Sequence, residues 1–232
     1  MTGMETTVVI VGAGPAGLVL GLMLQRAGIP FVVIERRSRA DVGGPPKAGS
    51  IDYRTVQMLK RVGIADDLVR FEVENGRCEF RTPTDSVIVN YGELTGGRPH
   101  FVYPQHLLVE TLCAALLNSG GDVRFDCTVT EVAHHGGGGR VTWRTGVGPP
   151  HEITANAVVG CDGARSTVAP LLTNSAIAER SLPVRWLAVI ADSPALVRHD
   201  LRRTSSWFRR ADAARARADA LLPRSAGDRY GD

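Results

Sequence analysis

One stretch near the amino terminus decides the fold: Thr7-Val8-Val9-Ile10-Val11-Gly12-Ala13-Gly14-Pro15-Ala16-Gly17. Its apolar run predicts a buried strand, and the leucine-rich residues after the glycines predict a helix that ends at Gly28 and Pro30. A second apolar run follows and closes in Glu35. Strand, glycine turn, helix, strand and terminal acid within about 30 residues predict a βαβ unit, and therefore an α/β fold with a parallel sheet.

The three glycines of this turn have separate physical roles in a nucleotide site. Gly12 permits the tight turn, Gly14 lets a pyrophosphate approach the backbone, and Gly17 lets the helix pack close to the strand. The helix N-terminus offers N–H groups and a partial positive charge to phosphates. A carboxylate at Glu35 favours an unphosphorylated ribose, as in FAD or NAD. The alternative interpretation is a glycine-rich turn that binds no ligand.

Composition excludes several classes of function. A net charge of +3 over 232 residues gives no argument for a nucleic-acid partner. No apolar run approaches the roughly 20 residues of a membrane span. The four cysteines form no C-x-x-C pair, and we expect them to be reduced thiols. We therefore expect a cytoplasmic protein with no nucleic-acid partner, no membrane anchor and no metal site; adjacent His134 and His135 in a glycine turn would point apart.

Hydrophobic periodicity predicts the remaining elements. Helices are predicted over 50–62, 104–118 and 207–222, strands over 123–125, 128–132, 140–144 and 186–191, a hairpin from 76–81 and 86–91, a turn over 134–139, and a buried strand over 157–160. The buried strand continues into Cys161-Asp162-Gly163-Ala164-Arg165-Ser166. Asp162 can accept hydrogen bonds, Gly163 permits close approach of a ligand, and Ser166 is expected to cap a helix. An Asp-Gly pair alone is typical of an ordinary turn, but both strands of this chain can lie in one sheet.

With these motifs in this order, the chain resembles the flavin-dependent aromatic monooxygenases typified by para-hydroxybenzoate hydroxylase. Four stretches carry the resemblance: 8–17 with Glu35-Arg36, 46–51 with Arg54-Thr55, 103–108 with Glu110, and 159–166. It implies a Rossmann-like FAD-binding domain of the glutathione-reductase type, with part of a second, substrate-domain sheet. It also implies FAD as cofactor, NAD(P)H as co-substrate and a small aromatic substrate.

The resemblance implies cofactor contacts for twelve residues: Gly12, Gly14, Pro15, Ala16, Gly17, Glu35, Arg36, Lys47, Ala48, Gln105, Asp162 and Gly163. Lys47 stands where relatives usually have Arg, so a bidentate phosphate contact is lost. Gln105 would face the flavin, and Asp162-Gly163 would serve both FAD and NAD(P)H. Ala169 replaces an Arg of many relatives, which weakens the expected hold on the nicotinamide cofactor. Arg36, Arg37 and Arg39 are candidates for its 2′-phosphate, although a solvated charged loop explains them equally well.

The resemblance also suggests how the chain is divided. Residues 1–180 would form the FAD/NAD(P)-binding domain, 181–200 the start of an incomplete substrate-domain sheet, and 201–232 an Arg/Ala-rich tail. The family's third motif, Gly-Asp-Ala, has no match, because Gly227-Asp228 is followed by Arg229. We therefore expect a truncated or divergent monooxygenase that hydroxylates a phenolic substrate with NAD(P)H and O₂, with activity impaired by truncation. The alternatives are a non-catalytic FAD-binding remnant or partner subunit, and another FAD-dependent oxidoreductase. Catalytic residues and oligomeric state are not predicted.

Overall fold

The computed structural model describes residues 4–45, 49–64, 72–73, 77–81, 84–98, 100–164, 166–172, 200–204 and 207–210. Its elements in chain order are β1 (Met4–Val11), α1 (Pro15–Arg26), β2 (Phe31–Ile34), β3 (Ser50–Ile51), α2 (Tyr53–Arg61), β4 (Glu72–Val73), β5 (Arg77–Arg81), β6 (Ser86–Asn90), α3 (Tyr91–Leu94), β7 (His100–Val102), α4 (Gln105–Asn118), β8 (Asp122–Arg124), β9 (Cys127–His135), β10 (Gly138–Thr145), β11 (His151–Gly160), α5 (Ala169–Leu172), β12 (Asp200–Thr204) and β13 (Trp207–Arg210).

Contacts divide the chain into two units that alternate along the sequence. One comprises Met1–Pro46, Gln57–Asp66 and Gln105–Ser181, and the other Lys47–Val56, Asp67–Pro104 and Leu182–Asp232. The predicted boundaries near 180 and 200 fall in or beside residues 173–199, which lie outside the described residues, and stay a prediction.

The first unit is built on a six-stranded sheet with the strand order β8-β2-β1-β11-β10-β9. Strands β8, β2, β1 and β11 are parallel, and β10 and β9 complete the sheet in antiparallel pairing. Helices α1 and α4 pack together in this unit, and Gly21 permits their close approach because a Cβ there would lie 2.9 Å from Leu116. The predicted βαβ unit and the α/β fold class are confirmed, including Gly28 just beyond the end of α1 at φ +67°.

The buried core of this unit is aliphatic, as expected for parallel strands covered by helices. Its largest fully buried side chains come from strands and helices alike: Val9, Ile10, Leu18, Val33, Ile34, Leu59, Leu112, Leu116, Val141 and Ile153. This core fixes the ends of β1, β2 and β11, from which the candidate site projects.

The second unit contains two small sheets, β3-β7-β4 and β13-β12-β5-β6. Strands β5 and β6 pair antiparallel, which confirms the predicted hairpin. The helix predicted over 207–222 is wrong for its first residues, because Trp207–Arg210 pairs as β13 with β12. This strand pairing overrides the helix propensity of the segment. Residues 211–222 and the strand predicted over 186–191 lie outside the described residues.

Three other element predictions need correction. Helix α2 begins at Tyr53 instead of residue 50, because Ser50–Ile51 pairs with β7. The predicted turn over 134–139 shrinks to residues 136–137, since β9 runs through His135 and β10 begins at Gly138. Residues 157–160 belong to the longer strand β11 and are half-buried or exposed instead of buried.

Candidate functional site

A glycine elbow, defined here as residues 12–17, connects β1 to α1. Gly12 has φ +104°, and its N–H donates to the Ile34 carbonyl at 2.8 Å. A Cβ on Gly12 would lie 2.6 Å from the Cys161 carbonyl oxygen, and a Cβ on Gly17 would collide with the Gly12 carbonyl. Both glycines are therefore required by the folded protein itself, whether or not a ligand is present.

Gly14 differs from the other two glycines. Its φ of −74° and ψ of −178° are open to any residue, and the nearest heavy atom to a Cβ there is the Cys161 carbonyl oxygen at 3.8 Å. A methyl group would thus fit in the space in front of α1 at an ordinary van der Waals distance from the protein. The start of α1 has no side-chain cap and no acidic residue in its first turn, so its N–H groups and its partial positive charge face this space. These features fit the diphosphate of a dinucleotide.

Glu35 is only 7% exposed, and its carboxylate contacts the elbow. The Ala13 N–H donates to Glu35 Oε2 at 2.7 Å, and the Arg37 N–H donates to Oε1 at 2.8 Å. The structure therefore places Glu35, the residue predicted to bind the ribose, against the glycine elbow. Each carboxylate oxygen keeps a lone pair for a further donor, such as a ribose hydroxyl. The ribose contact itself stays a prediction.

The Asp162 motif reaches the same edge of the sheet from the other end of the sequence. The Cys161 N–H donates to the Val11 carbonyl at 2.7 Å, which places the end of β11 beside the end of β1. Asp162 Oδ1 accepts from the Ser166 hydroxyl at 2.6 Å, and Oδ2 accepts from the Thr167 N–H at 2.6 Å. The Ser166 hydroxyl also accepts from the Ala169 N–H at 2.9 Å, so the predicted helix cap is confirmed.

Gly163 is open to solvent at this edge. Its φ is +80°, and a Cβ there would meet nothing within 4 Å. The carboxylate of Asp162 holds the loop that follows, while the backbone at Gly163 stays accessible. The carboxylate of Asp162, predicted to contact the cofactor, thus bonds to its own loop, and the predicted cofactor contacts of Asp162 and Gly163 stay predictions.

Cys161 is the residue at this edge that the sequence reasoning did not single out. Burial raises the pKa of its thiol above the ordinary value of 9.0, and the Asp162 carboxylate raises it further. The signal was present in the sequence, because Cys161 directly precedes the Asp-Gly pair. The free state predicted for the cysteines is confirmed for Cys113, Cys127 and Cys161.

The other predicted contact residues lie on separate elements. Arg36 and Arg39 are exposed, and the Arg37 guanidinium lies near Gly44, with Nη1 3.3 Å from the position of a Cβ there. Gln105 is the half-buried first residue of α4. Lys47 and Ala48 lie outside the described residues. Among the twelve predicted contacts, the structure therefore joins the elbow residues, Glu35 and the Asp162 loop.

A polar cleft of about 360 Å³ lies at the opposite, amino-terminal ends of the parallel strands. Its lining includes Glu5, Gln25, Asp122 and Arg124. Arg124 forms an ion pair with Asp122 at 3.0 Å and lies over the ring of Trp143. Ligands of open α/β sheets bind at the carboxyl ends of the strands, so the elbow is the stronger candidate.

Across the described part of the chain, no three His, Cys, Asp or Glu side chains gather in a way that could hold a metal ion. None of the helices in that part combines the length and apolar character needed to cross a membrane.

Comparison with known families identifies the family to which this chain belongs. A family model described as an FAD binding domain matches residues 5–230. The chain belongs to this family. The p-hydroxybenzoate hydroxylase of Acinetobacter baylyi is 29% identical over 196 residues, which is 84% of this chain and 48% of that protein. The 12-dehydrotetracycline 5-monooxygenase/anhydrotetracycline 6-monooxygenase of Streptomyces rimosus is 30% identical over 224 residues, 88% of this chain and 42% of that protein.

Solved structures of flavin monooxygenases share the fold. The p-nitrophenol 4-monooxygenase PnpA of Pseudomonas putida has a TM-score of 0.63 at 26% identity, over 72% of this chain and 43% of that chain. PieE, a flavin-dependent monooxygenase in complex with FAD and substrate, has a TM-score of 0.61 at 25% identity, over 72% and 32%. The chain thus spans less than half the length of these relatives. The resemblance to flavin-dependent aromatic hydroxylases is confirmed.

Proposed function

We propose that the chain is the FAD-binding part of a flavin-dependent monooxygenase that hydroxylates a small phenolic substrate with NAD(P)H and O₂. Two findings support the proposal: membership of the FAD-binding family, and similarity to p-hydroxybenzoate hydroxylase and related monooxygenases. The observation that carries it is the open space in front of Gly14, bounded by the uncapped start of α1.

The chain's own residues bind and orient the cofactor in this proposal. The N–H groups at the start of α1, including that of Ala16, donate to the diphosphate, while Pro15 has no N–H to give. Glu35 accepts from the adenosine ribose. When bound, FAD supplies the redox chemistry with NAD(P)H and O₂, and the protein supplies binding, orientation and exclusion of water.

Further contacts follow from the family resemblance. Lys47 and Ala48 would lie along the cofactor, Gln105 would face the flavin, and Asp162 with Gly163 would contact both FAD and NAD(P)H. In this proposal, Arg36 and Arg39, which are exposed, meet a 2′-phosphate of NADPH.

The test is the absorption spectrum of the purified chain mixed with FAD and gel-filtered. A retained flavin band near stoichiometry, bleached by NADH or NADPH, is expected. Gly14→Ala is the matched control, because its methyl group fits the protein and fills the ligand's space. Loss of flavin from the wild-type chain would reject the proposal.

The same experiment separates the alternatives. A bound flavin that neither nicotinamide reduces would favour a non-catalytic FAD-binding subunit. A flavin that NAD(P)H reduces, but whose reduction no phenol accelerates, would favour another FAD-dependent oxidoreductase.

A further inference from the structure

Both oxygens of the Glu35 carboxylate accept hydrogen bonds from the protein backbone. Oε2 accepts from Ala13, which is the residue between Gly12 and Gly14, and Oε1 accepts from Arg37. Glu35 is buried, with only 7% of the residue exposed. Hydrogen bonds to a buried ionised group are stronger than those between neutral groups.

The backbone of Glu35 is held as firmly as its side chain. Its N–H donates to the Arg124 carbonyl at 2.8 Å, and its carbonyl accepts from the Cys127 N–H at 2.9 Å. These bonds fix where the carboxylate is presented, at the end of β2. The hydrogen bond to Ala13 therefore transmits the position of β2 to the elbow.

Each of three consecutive elbow residues forms a hydrogen bond, through its own backbone, that fixes its position. The Gly12 N–H donates to Ile34, the Ala13 N–H to Glu35, and the Gly14 carbonyl accepts from the Leu18 N–H at 3.0 Å. Of these anchors, the bond to Glu35 is made by a side chain. It is thus the anchor that a substitution can remove.

We propose that Glu35 is a positioning residue for the glycine elbow in addition to its expected contact with ribose. The inference rests on the proposed function, because the elbow is taken to hold the diphosphate. Glu35 aligns the diphosphate donors before the ligand binds. It therefore contributes to the affinity for ligands that have no ribose hydroxyls at all.

The test compares ADP with 2′,3′-dideoxyadenosine 5′-diphosphate by titration calorimetry. In Glu35→Gln, the side-chain amide nitrogen faces a backbone N–H, so one of the two hydrogen bonds is lost. We expect the dideoxy nucleotide to bind about tenfold more weakly to this variant than to the wild-type chain. Glu131→Gln makes the same chemical change at an exposed position of β9 and should leave both affinities unchanged.

A loss of affinity for ADP alone, with unchanged binding of the dideoxy nucleotide, would overturn the inference and leave the proposed function intact. Failure of the wild-type chain to bind either nucleotide would instead reject the proposed function. In that case hydrogen exchange of the Ala13 amide decides: slow exchange that Glu35→Gln accelerates supports positioning, and fast exchange in the wild-type chain overturns it. If the variant folds poorly, exchange of the Ala13 amide in the wild-type chain decides alone, since fast exchange there overturns the inference and slow exchange supports it.

Discussion

Gly14 and Gly17 belong to one motif, but the physical reason for a glycine differs between the two positions. A side chain at Gly17 would collide with the Gly12 carbonyl, so the fold requires that glycine. A Cβ at Gly14 would make only an ordinary contact, 3.8 Å from the Cys161 carbonyl oxygen, so packing does not require that glycine and the proposed diphosphate contact would explain it. The sequence motif alone does not separate these two reasons, whereas the packing around each residue does.

Substitution of each glycine by alanine should separate stability from binding. We expect Gly14→Ala to change the free energy of unfolding by less than about 1 kcal/mol, because its backbone conformation suits alanine. It should nevertheless abolish measurable ADP binding. Gly17→Ala should cost about 1–3 kcal/mol or more by overpacking. Urea denaturation and calorimetry measure both quantities; wild-type ADP affinity in Gly14→Ala would contradict the assignment.

The thiol of Cys161 offers a second prediction at this scale. Burial and Asp162 raise its pKa above 9.0, so less thiolate is present at any given pH than in an unperturbed cysteine. We expect alkylation of Cys161 by iodoacetamide to be slow at pH 8 and to keep accelerating above pH 9. Mass spectrometry of digested protein gives the rate, with Asp162→Asn as the comparison. A rate that levels off below pH 9 would be inconsistent with the raised pKa.

Among the elements, α2 shows how one side chain can decide where a helix starts. Asp52 Oδ1 accepts from the N–H groups of Arg54 and Thr55, at 2.8 and 3.1 Å, and Oδ2 accepts from the Thr55 hydroxyl at 2.8 Å. The hydroxyl of Thr55 is the main cause that holds the pKa of Asp52 below its ordinary value of 3.8. The carboxylate form is therefore the one that caps the helix.

Removal of this cap by Asp52→Ala should lower the free energy of unfolding by about 1 kcal/mol at pH 7. Because the pKa is lowered in the folded protein, the stabilisation is present above the unfolded-state pKa and is lost as the pH falls through the folded-state value. The difference between wild type and variant should thus shrink below pH 4. Urea denaturation at pH 7 and pH 3 measures it. Asp52→Asn, which keeps an acceptor, should lose less; an equal loss in Asn and Ala would contradict capping.

Local signals predicted those elements whose partners are close in sequence. Hydrophobic periodicity and helix-terminating residues were sufficient to predict β1, α1 and β2, because Gly28 and Pro30 end the helix locally. They failed for Ser50–Ile51, whose partner β7 lies far along the chain, and for Trp207–Arg210, whose neighbouring partner β12 itself pairs with the distant strand β5. The glycine run after His135 also misled, since only two residues are needed for the turn.

In the candidate site too, the residues fixed by local spacing were predictable, and a contact between separate elements was not. Gly12, Gly14, Gly17 and Glu35 follow from the fingerprint, because their spacing encodes strand, turn and helix. The bond from Ala13 to Glu35 was not predictable, since it depends on how the carboxylate is oriented at the end of β2.

At the scale of the whole molecule, the parallel sheet of the first unit has two chemically different ends. Its carboxyl ends bring together the elbow, Glu35 and the Asp162 loop, although the Asp162 loop follows Glu35 by more than a hundred residues of sequence. Its amino ends carry the polar cleft with Glu5 and Asp122. Sheet polarity supports the proposed nucleotide site at the first of these ends, since ligands of open α/β sheets bind at the carboxyl ends of the strands.

Hydrogen exchange with and without ADP should show at which end of the sheet the nucleotide binds. We expect ADP to slow exchange at the amides of Gly14, Ala16 and Gly17, because the diphosphate accepts hydrogen bonds there, and to leave residues 4–6 and 120–124 at the cleft unchanged. Glu5→Gln, at the cleft, should keep ADP affinity within about twofold of wild type, since a surface charge distant from the ligand contributes little. Protection confined to the cleft residues would place the nucleotide at the amino ends of the strands, and the elbow would then be a structural turn.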